Sequence, residues 1–200
     1  MKYLKLFENH QTESEVAKIC EQYRIVNWTL NSDGLVDVDG HVNLNGKVLY
    51  TIGRYSLEKL PLKFGTVTGY FLCNNNKLTT LEGAPHTVGN SFGCDGNKLT
   101  SLEFAPKSVG EHFWCNYNNI RSFEGLVNIV GNFYSSDNPV WEICEIINPI
   151  DNKWDNEKME FFNDLDIIRG EEIAIDRFNF FLEEMGLPTV ESVKGYKNIY

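Results

Sequence analysis

Basic side chains are scarce in this sequence. Its 18 Lys and Arg face 28 Asp and Glu, and the net charge of −10 argues against a phosphate-binding surface. More than half of the acidic excess lies in residues 151–200, where 12 acidic residues face 6 basic ones. Long apolar runs are missing as well. No stretch approaches membrane-spanning length. The first residues, MKYLKLFENHQTES, lack the apolar segment of a secretory signal. Cysteines are few and odd in number, five in all, which fits no disulfide framework. A reduced protein of the cytoplasm is expected. Signatures of chemistry are missing too: there is no nucleophile elbow, phosphate loop or metal-binding helix. The expectation is therefore no enzyme activity, no cofactor, no metal, no nucleic acid and no membrane.

What the sequence does have is repetition. Residues 67–138 say one thing four times: VTGYFLCNNNKLTTLEGAPHT, VGNSFGCDGNKLTSLEFAPKS, VGEHFWCNYNNIRSFEGLVN and VGNFYSSDNPV. Cys73, Cys94 and Cys115 are 21 residues apart, as are Asn76, Asn97 and Asn118, with Asn138 20 residues further on. A period of this size marks units too small to bury their own apolar face, which must stack on one another as a solenoid. Within a unit, strand alternation turns Phe71, Phe92, Phe113 and Phe133 inward. Cys73, Cys94, Cys115 and Ser135 turn inward with them. The Asn column should form a ladder that satisfies backbone groups where the strand turns away. Leu78, Leu99 and Ile120, then Leu81, Leu102 and Phe123, fill the core. Pro85 and Pro106 start the return segment. Gly89, Gly110 and Gly131 let the chain approach each strand tightly.

The F-x-C-x-x-N-x-L-x-x-L pattern matches the LxLxxNxL core of leucine-rich repeats. Over roughly residues 57–140 the chain resembles the short-repeat bacterial members of that family. Its LTSLEGAP-type consensus looks most like repeat proteins encoded by large tailed phages. The resemblance implies a leucine-rich repeat fold with parallel strands on one face, and says little about function.

The flanks read as caps. Residues 1–10 are a mobile tail or a processed leader. Starts of the MKYLKLFE kind resemble those of phage proteins, and Leu6-Phe7-Glu8 is similar to the L-x-E sites cut by phage prohead proteases. Residues 11–56 are expected to form an N-terminal helix-hairpin cap. Thr12 and Glu15 fit a capping box, and Val16, Ile19, Cys20 and Tyr23 mark an apolar helix face. Ile25, Trp28 and Leu30 suggest a strand, and Asn31-Ser-Asp-Gly34 a turn. Val36, Val38, Val42 and Leu44 suggest a further strand or a hairpin turning at Asp39-Gly40. Leu57 and Leu60 align one period before Leu78 and Leu81, as a degenerate first repeat. Residues 141–200 form an acidic, mainly helical C-terminal cap. Helices are expected near Trp141–Ile147, over 154–165 and over 176–185, with a small hairpin around Arg169-Gly170. The expected class is thus an α/β solenoid.

Several residue groups invite a chemical reading. Cys73, Cys94 and Cys115 would stack about 4.8 Å apart, but they occupy a core column and lack the short zinc-ligand spacing. His112 and Cys115 fall on opposite sides of a strand. Asp33, Asp37 and Asp39 lack the spacing of a calcium loop, and turn chemistry accounts for them. The residues between the inward ones matter more. Leu72, Gly93, Trp114 and Tyr134 should form one outward row, with a dip at Gly93. Tyr70, Asp95, His112 and Tyr117 should flank it. A strip with Trp and Tyr and without Lys or Arg resembles a protein-binding surface. The expected function is a non-enzymatic protein–protein interaction module, binding a host factor if the phage resemblance holds. The alternative is a virion-associated or internal head protein whose N-terminal leader is removed.

Overall fold

The computed structural model describes residues 12–46, 56–125, 129–147 and 156–200. The leader expected at residues 1–8 lies outside these, as do residues 47–55. Helix α1 (Glu13–Tyr23) begins with the expected capping box: Glu15 N–H donates to Thr12 Oγ1, and the Glu15 carboxylate receives Thr12 N–H. Val16 and Cys20 face the core. Strands β1 (Trp28–Leu30) and β2 (Val36–Val38) form an antiparallel pair. Asn31 Oδ1 closes their turn by accepting from Asp33 N–H and Leu35 N–H.

The hairpin expected at Asp39-Gly40 does not form. Strands β2 and β3 (Val42–Asn43) belong to different sheets. β2 pairs in parallel with β4 (Phe64–Val67), and β3 pairs in parallel with β5 (Phe71–Leu72). Val38-Asp39-Gly40-His41-Val42 therefore occupies the place that Val67-Thr68-Gly69-Tyr70-Phe71 occupies in the next unit. The expected hairpin is thus two strands in separate sheets, each paired in parallel with a strand 29 residues further on, a longer step than the 21-residue period.

Each of the next three units supplies one strand to each of two sheets, and the last supplies a strand to the second sheet only. β6 (Thr87–Val88) and β8 (Ser108–Val109) extend the first, in the order β1-β2-β4-β6-β8. β7 (Phe92–Gly93), β9 (Phe113–Trp114) and β10 (Phe133–Tyr134) complete the second, in the order β10-β9-β7-β5-β3. Every pairing in the second sheet is parallel, with Phe71, Phe92, Phe113 and Phe133 in register. Parallel strands on a single face were expected. A second parallel ladder exists because the Val-Gly segments also lie side by side, turning Val67, Val88 and Val109 into the core.

The core between the sheets is a run of Phe rings with centroids 5.7, 4.9 and 5.7 Å apart from Phe71 to Phe133. The glycines permit this spacing. A Cβ on Gly110 would lie 2.0 Å from the Gly89 carbonyl oxygen, and one on Gly89 2.1 Å from that of Thr68. The Asn ladder forms as expected. Asn97 Nδ2 donates to the Cys73 and Cys94 carbonyls at 3.1 and 2.9 Å, and its Oδ1 accepts from Leu78 N–H at 3.0 Å. Asn76, Asn118 and Asn138 repeat the pattern.

After the last unit come α2 (Trp141–Ile147), α3 (Asn156–Asp164), the antiparallel pair β11 (Ile168–Arg169) and β12 (Glu172–Ala174), and α4 (Ile175–Glu184). β13 (Lys197–Ile199) then pairs in parallel with β12. Phe162 packs edge-on against Phe123 at 5.4 Å and so joins this region to the repeat core. The architecture is mixed α/β, with parallel-strand sheets and no closed barrel among the described residues. None of the described helices is long and apolar enough to cross a membrane.

Candidate functional site

Strand alternation places Asn43, Leu72, Gly93, Trp114 and Tyr134 in one row, residue against residue along the parallel register. Trp114 and Tyr134 are half-buried and stacked, with ring centroids 6.3 Å apart. His112 lies against both, at 5.7 and 5.8 Å. The Tyr134 hydroxyl accepts from Asn132 Nδ2 at 2.9 Å, which holds the ring in place. Tyr70 belongs to a second small cluster, stacked on His41 at 3.9 Å. Tyr117 stands apart at the strand end and is 64% exposed.

The dip expected at Gly93 is filled. Gly93 is buried, and a Cβ there would meet Leu72 Cδ2 and Asn74 Oδ1, each at 2.9 Å. Leu72, half-exposed, leans over its glycine neighbour and levels the row. Asp95, half-exposed at the side of the row, is one rung of a second ladder at the strand ends. Asn45 Oδ1 accepts from Asn74 N–H, Asn74 Oδ1 from Asp95 N–H, Asp95 Oδ1 from Asn116 N–H, and Asn116 Oδ1 from Ser136 N–H. Burial raises the pKa of the Asp95 carboxyl, while hydrogen bonds from Asn116 oppose the shift. Its Oδ1 is committed to the neighbouring strand.

No protein-family model matches the chain, and neither a curated protein nor a solved structure matches it.

The cysteine column and the Asp37 and Asp39 carboxylates have structural roles. Cys73, Cys94 and Cys115 are fully buried, and burial pushes their thiols up; Cys144 reaches about 12. A thiol so placed stays protonated and inert. Asp37 Oδ1 accepts from Thr66 N–H at 2.7 Å, and Asp39 Oδ1 from the Thr68 hydroxyl at 3.0 Å. These carboxylates hold one unit to the next. His41 and Asn43 are absent from the expected site because residues 36–46 read as part of a cap. The signal was present in the shared Val-x-Gly-x-apolar wording of Val38–Val42 and 67–71.

Proposed function

We propose that the chain is a repeat solenoid of the leucine-rich kind whose outward strand row binds a protein partner. The observation that carries this is the His112–Trp114–Tyr134 cluster. Its rings are half-exposed, mutually stacked and tied down by Asn132. Aromatic groups already held in one rotamer lose little freedom on binding and serve as anchors. The row contains no Lys or Arg, so a nucleic-acid backbone is a poor ligand for it. Leu72 and the exposed Tyr117 extend the apolar area on either side. Tyr70 and His41 form its far end. The function is non-enzymatic on this reading.

The test is capture of partners by the immobilised full chain, followed by calorimetry with the captured protein. Trp114→Ala is expected to fold, with a loss of about 1 kcal/mol from the exposed ring contacts. It is expected to weaken binding by about 2 kcal/mol or more. Equal affinity of parent and variant would move the binding surface off this row.

A further inference from the structure

The strand-end ladder beside the row has one charged rung. Its acceptors are the Oδ1 atoms of Asn45, Asn74, Asp95 and Asn116, each taking a backbone N–H from the next strand. An amide oxygen does this as well as a carboxylate oxygen, and it carries no charge to desolvate. The ladder therefore accounts for an acceptor at position 95 but not for a carboxylate. Asn116 donates both its N–H and its Nδ2 to Asp95 Oδ1, at 2.8 and 2.9 Å. Asp95 Oδ2 has no hydrogen-bond partner among the described residues. The result is a half-exposed carboxylate pinned by one oxygen, with the other left open. A group that costs stability where a neutral one would serve marks a place kept for binding.

The neighbours of Asp95 define what fits there. Gly93, two residues earlier on β7, shares its face. Gly93 lies in register between Leu72 of β5 and Trp114 of β9, and Leu72 levels the floor over it. A flat apolar strip thus runs beside an indole and ends at a fixed negative charge. An arginine side chain matches each part. Its stem lies on the strip, its planar guanidinium packs on the aromatic ring, and its N–H groups reach the open carboxylate oxygen. No Lys or Arg of the chain holds an outward position in the row or its flanking columns; Lys77 and Lys98 stand past the Asn76 and Asn97 column. The exposed Asp137 adds a second carboxylate at the same end of the strands. The net charge of −10 draws in a basic partner and repels an acidic one.

We propose that the protein partner of the row is basic and lays an arginine side chain beside Trp114, with its guanidinium on the open oxygen of Asp95. This inference rests on the reading of the row as a protein-binding surface and names the chemistry that the surface recognises.

The test titrates the full chain with a blocked Ser-Arg-Ser-Arg-Ser peptide and, as the neutral control, the same peptide with citrulline in place of arginine. The readout is the Trp114 indole N–H signal in NMR. The arginine peptide is expected to shift it saturably and to bind about 5-fold more tightly than the citrulline peptide. Asp95→Asn should weaken the arginine peptide about 5-fold. Its melting temperature, measured alongside, separates lost binding from lost fold. Glu184→Gln removes an exposed charge from α4 and should leave the affinity unchanged. Equal binding of the two peptides, or equal losses from Asp95→Asn and Glu184→Gln, would overturn the proposal. A captured protein partner that is weakened by Trp114→Ala but not by Asp95→Asn would overturn this inference and leave the proposed function standing.

Discussion

Phe104 holds a backbone conformation that its residue type disfavours. Its φ is +64°, in a column where the neighbouring units use Gly83 at +93° and Gly125 at +89°. The ring is 53% exposed, so packing offers little in return. A side chain in the left-handed region costs about 1 kcal/mol. Phe104→Gly is therefore expected to raise the melting temperature by about 2–3 °C; an unchanged or lower value would mean that the ring is better packed than its exposure indicates. Tyr117 breaks the rule in the same way at φ 55°, among Asn75, Gly96 and Asp137. Asp95 is a different case, a carboxylate in a ladder otherwise made of neutral Asn45, Asn74 and Asn116. Because burial raises its pKa, the folded chain binds this proton more readily than the unfolded chain does. The charged form is then a burden above the ordinary carboxylate range. Asp95→Asn keeps the acceptor and removes the charge. It should raise the melting temperature by about 2 °C near neutral pH, and this gain should vanish on acidification as Asp95 itself becomes neutral. A gain that grew at low pH would contradict the assignment.

Most strands here are only two or three residues long, too short to be specified by propensity. What holds them is the side-chain ladder. Asn97 satisfies two carbonyls and one N–H that no strand partner reaches. Asn97→Ala is expected to cost about 2–3 kcal/mol in chemical denaturation, because the Leu78 N–H is left unpaired in the core and the Cys73 and Cys94 carbonyls each lose one of two donors, keeping Asn76 and Asn118. Asn97→Asp should be no milder, since it turns a donor toward two carbonyls into an acceptor. A mild Asn97→Asp would show that the donor half of the amide contributes little. The Asn column, the inward Phe and Cys columns and the capping box of α1 were all legible from residue spacing, because each depends only on local alternation or local hydrogen bonding. The filled site at Gly93 was not legible. Leu72 and Asn74 reach it from the preceding unit, and no pattern within one unit reports what its neighbour leans over.

At the level of the molecule, one continuous core runs from Val16 and Cys20 of α1 through the Phe stack to Phe162, Phe178 and Phe181 of the C-terminal helices. Phe92→Ala and Phe162→Ala should each cost roughly 3–5 kcal/mol, and each should lower a single, shared unfolding transition seen by calorimetry. Two separated transitions in the Phe162→Ala variant would mean that the C-terminal region folds on its own. The tail is tied in as well: Tyr196 donates its hydroxyl to the Arg121 carbonyl, and Lys194 pairs with Glu142 at 2.8 Å. Residue spacing alone was enough to show which residues form the columns, which of them point inward, and that a capping box opens α1. Those properties follow from strand alternation and from caps made within a few residues. Tertiary structure alone decided that residues 36–46 join two separate sheets instead of pairing as a hairpin, that a second parallel sheet closes the core, and that Leu72 and Asn74 fill the site beside Gly93. Each of these depends on hydrogen bonds and contacts between units about 20 to 30 residues apart in sequence, where local chemistry says nothing about which strand lies alongside which.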